Sequence, residues 1–221
     1  MLNHKTRYLQ IAFNDDVYSS LKLISLLPQS ERLIIEAGTP FIKREGSDGI
    51  RAIANYWSGE IVADLKTTDG ALEEVELAYL SGATAATVLG SAPRETINLF
   101  IQKCDELKMD SMIDMLGVED PLDILWHLKK PPNVVVLHRG RDEETTRGKV
   151  IKYKHINRIL GKYDVLISAA GGVDLKEARS AIFNGANIVV VNVVNPDDPW
   201  TGISTDQDIA DMANKFLKTI E

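Results

Sequence analysis

Short apolar runs alternate with longer amphipathic runs along the whole chain, eight of each, and this alternation constrains the fold more than any other feature. The strand candidates are Tyr8–Phe13, Leu33–Ala37, Ile61–Leu65, Ala85–Leu89, Asp110–Ile113, Val134–Leu137, Val165–Ala169 and Ile188–Val193. The helix candidates that follow them are Val17–Leu27, Gly46–Trp57, Leu72–Ser81, Arg94–Leu107, Leu122–Lys129, Lys149–Leu160, Leu175–Asn184 and Asp206–Ile220. A strand that always meets a helix next can pair with its successor only in parallel. Eight such units in 221 residues predict one α/β domain over residues 1–221, a closed (β/α)8 TIM barrel. An open doubly wound sheet is the alternative.

Local signals fix several boundaries. Asp174 with Glu177 three residues on has the form of a helix-opening capping box. Pro121 stands where a helix start wastes no N–H. Gly82, Gly161 and Gly185 follow helices, where a left-handed residue closes the last turn. A net charge of −7 argues against a nucleic-acid or anionic-membrane surface. A single cysteine, Cys104, excludes an internal disulfide framework; in a helical stretch it reads as a buried, inert thiol and suits a reducing cytoplasm. Met1 to Arg7 lacks the apolar stretch of a signal peptide, and no run is long enough to span a bilayer.

Chemistry gathers on one side of this pattern. Residues before each strand are mostly small or turn-forming. At or after the strand ends stand Asn14 and Asp15, Glu36, Asp64 and Lys66, Asp114, His138 to Asp142, then Gly171 and Gly172. In a barrel these ends share one face, where active sites lie. Asp64 and Lys66 are two apart and so point the same way from a strand. A lysine beside a carboxylate stays charged and stabilises a developing enolate oxygen. Glu36 and Asp64 offer two oxygen ligands to Mg²⁺, with water and substrate completing the shell. His138 suits a general acid or base, and Arg141 suits an anionic oxygen. Gly171 and Gly172 run from strand to helix, where exposed N–H groups seat a phosphate. His4, His127 and His155 read as structural or solvated.

These residues form a recognisable set. It includes Leu9-Gln10-Ile11-Ala12, Glu36-Ala37-Gly38-Thr39-Pro40, Asp64-Leu65-Lys66-Thr67-Thr68-Asp69, Asp114-Met115-Leu116-Gly117, His138-Arg139-Gly140-Arg141-Asp142 and Ala170-Gly171-Gly172-Val173. With them the chain resembles the orotidine-monophosphate-decarboxylase superfamily, in the branch of 3-hexulose-6-phosphate synthase and 3-keto-L-gulonate-6-phosphate decarboxylase. The resemblance runs from Leu9 to around Pro199. It implies a homodimer with shared active sites and a small phosphorylated sugar as substrate. It also implies Mg²⁺ held by Glu36 and Asp64, and catalytic roles for Asp64, Lys66, Asp69 and His138, with Asp69 reaching the site across the dimer. Asn14, Asp114 and Arg141 would bind substrate, and Gly171, Gly172 and Asn192 its phosphate.

Two positions depart from the family pattern. Asn14 stands where an aspartate is usual, with Asp15 next to it, and Asn192-Val193 replaces Gly-Arg at the eighth strand. Three activities follow as expectations. The first is an aldolase-type lyase joining formaldehyde to ribulose 5-phosphate through an enediolate. The second is a decarboxylase of a 3-keto sugar-acid phosphate. The third is a divergent paralogue with a new substrate or no turnover, which the two departures motivate.

Overall fold

A computed structural model describes all 221 residues. Eight parallel strands pair in sequence order and the first closes on the eighth. They are β1 (Tyr8–Phe13), β2 (Leu33–Ala37), β3 (Ile61–Thr67), β4 (Ala85–Leu89), β5 (Asp110–Asp114), β6 (Val134–His138), β7 (Leu166–Ala170) and β8 (Ile188–Val194). The β1–β8 pairing, from Tyr8 opposite Ile188 to Ala12 opposite Asn192, removes both edges and rules out the open sheet. A two-residue strand that the sequence pattern did not announce, β9 (Ile203–Ser204), pairs outside the barrel with Val193 and Val194.

The helices are α1 (Val17–Ile24), α2 (Thr39–Tyr56), α3 (Ala71–Leu80), α4 (Arg94–Leu107), α5 (Pro121–Leu125), α6 (Ile156–Leu160), α7 (Leu175–Phe183) and α8 (Ile209–Thr219). Three differ materially from expectation. Helix α2 begins at Thr39, not Gly46, because Gly38 and Pro40 open a turn; Gly46 then breaks it at φ 62°, ψ −152°. Helix α5 stops after five residues. Only the last part of the expected Lys149–Leu160 helix forms, preceded by a 3₁₀ turn at Tyr153–His155. Tertiary ties explain the loss: Lys149 pairs with Glu143 at 2.8 Å, Tyr153 donates to Glu177 at 2.6 Å and Ile151 is buried. Gly82 and Gly185 are left-handed as expected, but Gly161, at φ −71°, stays right-handed. Asp174 does cap α7, accepting from Glu177 N at 2.7 Å.

Period-two alternation divides every strand between two cores. Leu9, Ile11, Leu33, Ile35, Val135 and Ile167 face the helices in a large shared core. Phe41, Phe100 and Phe216 pin α2, α4 and α8 to it, each fully buried and each contributing roughly 1.5–3 kcal/mol of transfer free energy. Tyr8, Ile34, Val62, Ala85, Met112, Val134 and Ile188 fill the barrel interior. At the barrel floor, polar side chains are spent on structure. Thr84, Asn133 and Asn187 each accept an N–H at the start of a neighbouring strand, from Ile61, Ser111 and Ile167, at 2.9–3.0 Å.

Candidate active site

The interior parity that is apolar at the floor turns polar toward the strand C-termini. Gln10 and Asn14 follow Tyr8, Glu36 follows Ile34, Asp64 follows Val62, and Thr87 follows Ala85. Asp114, His138 and Asn192 continue the same inward registers from Met112, Val136 and Val190. All of these polar residues line one cavity of about 490 Å³ at the barrel mouth. Lys66, Thr39, Lys43, Arg141, Glu144 and Gly171 line it too.

Lys66 reaches the cavity by a distortion rather than by plain alternation. The β3–β4 register shifts between Ala63 and Thr67, and Lys66 sits in the left-handed region at φ 48°. A bulge of this kind re-aims a side chain at some backbone cost. The Lys66 N–H is retained by Thr87 Oγ1 at 2.9 Å. Its ammonium then bridges two buried carboxylates, at 3.0 Å from both Asp64 oxygens and 2.6 Å from Asp114 Oδ2. Burial opposes its charge, but Asp64 and Asp114 outweigh burial and hold the ammonium protonated well above the usual lysine range.

Asp114 joins this bridge to His138, whose Nδ1 lies 3.0 and 2.9 Å from the two carboxylate oxygens. Asp114 also accepts Leu116 N at 2.9 Å. Burial works against its ionisation, yet His138 and Lys66 pull it far below the ordinary carboxylate range. An ionised carboxylate only accepts, so Nδ1 carries a proton and Nε2 is the nitrogen left to exchange one. Burial lowers the His138 pKa and Asp114 more than restores it, for a net rise.

Glu36 has the opposite environment. Burial and the neighbouring charge of Asp64 push its carboxyl up to about 7, against the help of Gln10, whose Nε2 donates at 2.5 Å. Two buried carboxylates on adjacent strands, one of them penalised for lack of positive charge, suit a hard divalent cation. Asp64 already accepts from Thr87 Oγ1 at 2.8 Å and lies 2.8 Å from Thr39 Oγ1. Glu36 Oε1 has no protein donor among the hydrogen bonds of the site. That fits Mg²⁺, which keeps most of its waters and takes one or two carboxylates.

Other expected residues divide. Asn14 and Asn192 line the cavity but bind each other, Nδ2 to Oδ1 at 3.2 Å, across the β1–β8 seam. Asp15 lies outside it, in an adjoining pocket of about 290 Å³ with Tyr18 and Lys22. Arg141 stands at the rim, its guanidinium 4.5 Å from the centre of the Trp200 ring. Gly171 and Gly172 are left-handed at φ 97° and 63°. Gly171 lines the cavity, whereas Gly172 does not. Asp69 is exposed and does not line the cavity.

Arg139, given no role of its own by the sequence, is a principal support of the glycine loop. Its Nη2 donates to Gly171 O at 3.0 Å and Gly172 O at 3.3 Å. Gln10, Thr39 and Thr87 were likewise missed as members of the site. Gln10 could have been noticed as an amide inside an apolar strand; the two threonines carry no such signal.

A closed parallel barrel with an acid–lysine–acid–histidine chain at its C-terminal mouth defines a TIM-barrel protein with an enzyme-type site. The family model described as "Orotidine 5'-phosphate decarboxylase / HUMPS family" matches residues 7–192, and the chain belongs to that family. Among curated relatives, it is 36% identical over 216 residues to a protein of Methanothrix thermoacetophila named "Bifunctional enzyme Fae/Hps". That match takes in 97% of this chain and 53% of the relative, so the chain spans about half the length of the curated relatives it matches. Among solved structures, 3-hexulose-6-phosphate synthase from Salmonella typhimurium superposes with a TM-score of 0.84 at 26% identity, covering 96% of this chain and 98% of that one. The 3-keto-L-gulonate-6-phosphate decarboxylase of Vibrio cholerae gives a TM-score of 0.72 at 20% identity over 97% of each chain, a likeness of fold. Each of these relatives carries the name of an enzyme.

Proposed function

We propose that the chain is a Mg²⁺-dependent aldolase-type lyase that joins formaldehyde to ribulose 5-phosphate through an enediolate. One observation carries the reading: Lys66 bridges Asp64 and Asp114, with His138 on Asp114, inside a single cavity of the right size for a sugar phosphate. The resemblance to a synthase over nearly the whole chain supports it.

The residues divide the work as follows. Removal of a proton from C1 of the ketopentose phosphate puts negative charge on the C2 oxygen, beside the C1 hydroxyl oxygen. Lys66, held cationic by its two carboxylates, stands ready to stabilise that charge without reorganising. Asp114 keeps Nδ1 of His138 protonated and the ring oriented, so Nε2 takes or returns the proton. C1 then forms its bond to the formaldehyde carbon, and the new alkoxide oxygen accepts a proton. Mg²⁺ bound by Glu36 and Asp64 would add positive charge beside the same oxygens and relieve the mutual repulsion of the two carboxylates. Arg141 and Lys43 at the rim suit the anionic end of the substrate. The protein works as a homodimer in a reducing cytoplasm, and Asp69 completes the neighbouring subunit's site.

The test is direct. Purified protein with Mg²⁺, ribulose 5-phosphate and formaldehyde should consume formaldehyde, and EDTA should stop it. No consumption at high enzyme concentration, or CO2 release from 3-keto-L-gulonate 6-phosphate in its place, overturns the reading.

A further inference from the structure

The glycine turn at the start of α7 has spare hydrogen-bonding capacity. The backbone N–H groups of Gly171, Gly172 and Val173 donate to no acceptor in the protein, and Asp174 caps only Glu177. Beside them, Arg139 spends Nη2 on two carbonyl oxygens and keeps Nε buried without a partner. Such a corner suits an anion.

An anionic side chain of the protein already stands there. A Cβ built on Gly172 would lie 2.9 Å from Glu144 Oε2 and 1.8 Å from Arg139 Nη2, so carboxylate and guanidinium converge on the same point. Glu144 Oε2 accepts the N–H of Thr201, which follows β8, at 3.1 Å. Its other oxygen, Oε1, is buried and bonded to nothing. A carboxylate with one oxygen unmet is weakly held, since desolvating that oxygen returns no hydrogen bond. Glu144 also lines the cavity, and residues 145–150 after it are exposed and form neither strand nor helix.

We propose that Glu144 is the resting occupant of the anion seat at the start of α7, and that it sets how tightly the seat takes the phosphate end of a substrate. This rests on the sugar-phosphate reading above and adds to it a residue that tunes affinity. Arrival of the phosphate moves Glu144 out on its exposed loop. The phosphate then accepts from the Gly171–Val173 amides and from Thr201 N–H, which lie unused or are lent to Glu144.

The experiment titrates inorganic phosphate into the intact protein by calorimetry, for wild type, Glu144→Gln and a charge-matched control. The control is Glu119→Gln, an exposed residue paired with Lys152. Removing the competing charge while keeping the side chain's shape should tighten phosphate binding roughly tenfold in Glu144→Gln. It should also lower the KM for ribulose 5-phosphate while leaving kcat within about twofold. The control should match wild type. Unchanged or weaker phosphate binding in Glu144→Gln, with its Tm kept, overturns the proposal and leaves Glu144 as a tether for Thr201. If wild type fails to turn over ribulose 5-phosphate while Glu144→Gln still binds phosphate more tightly, the seat stands and the proposed reaction falls.

Discussion

His138 and Glu36 make the stability of this protein depend on pH in the same direction, for different reasons. The folded state holds the His138 proton above its ordinary value of 6.5, because Asp114 outweighs burial. The ion pair therefore contributes in full below 6.5 and is lost as pH rises through the folded value. Glu36 rises from 4.5 to about 7 on folding, so its ionisation above 4.5 also costs stability. Wild type without Mg²⁺ should lose Tm as pH rises from about 5 through 7 on account of Glu36, with a further loss above 6.5 on account of His138. His138→Asn, measured by thermal melts across the same range, should lose the part of the slope above about 6.5 and keep the part below it. Identical slopes in the two proteins would mean that the ring is not held as a cation. At this scale the sequence disclosed acids and a base at the strand ends, because inward parity can be counted from each run. It did not disclose that Asn14 would bond to Asn192, since that depends on which strands meet at closure.

Helix α2 carries a backbone fault that the chain tolerates only because residue 46 is glycine. Its φ of 62° with ψ of −152° belongs to a region closed to side-chain-bearing residues. A Cβ there would meet no atom within 4 Å, so the cost of Gly46→Ala is purely conformational. We expect about 1–3 kcal/mol of destabilisation in urea unfolding. A neutral or stabilising result would show that the helix simply straightens, with a gain in helix propensity. Elements were legible wherever local pattern and tertiary packing agreed, as in β1, β4 and α4, whose observed ends match the expected ones. They were illegible where packing overrode pattern. Residues 149–155 have helical spacing, but Ile151 is drawn into the core and Tyr153 toward Glu177, which leaves one 3₁₀ turn. The bulge in β3 was invisible for the same reason. Alternation placed Asp64 and Lys66 on one side, but Thr87 on the next strand holds the distortion that brings the ammonium between two acids.

For the whole molecule, the proposed sharing of sites predicts that no single chain contains a complete one. Asp69 follows β3, and the family resemblance implies a catalytic role for it, yet its carboxylate is exposed and outside the cavity of its own barrel. Leu72, Leu77, Tyr79 and Leu80 on the helix just after it are partly exposed, an apolar surface next to the acid. A two-fold dimer through this face would set Asp69 against the same patch of its partner, and the shared-site reading requires the partner's cavity to open beside that patch. Complementation decides this. Asp69→Asn and Lys66→Met should each be inactive when expressed alone. Coexpressed, they should form mixed dimers with one intact site, since the lysine comes from one subunit and the aspartate from the other. With random pairing, half the dimers are mixed, so on the order of a quarter of wild-type activity should return. If activity stays at the level of the single variants while mixed dimers are present by mass, Asp69 acts within its own chain or not at all. If Asp69→Asn alone is fully active, the acid serves the surface and the site is complete in one barrel.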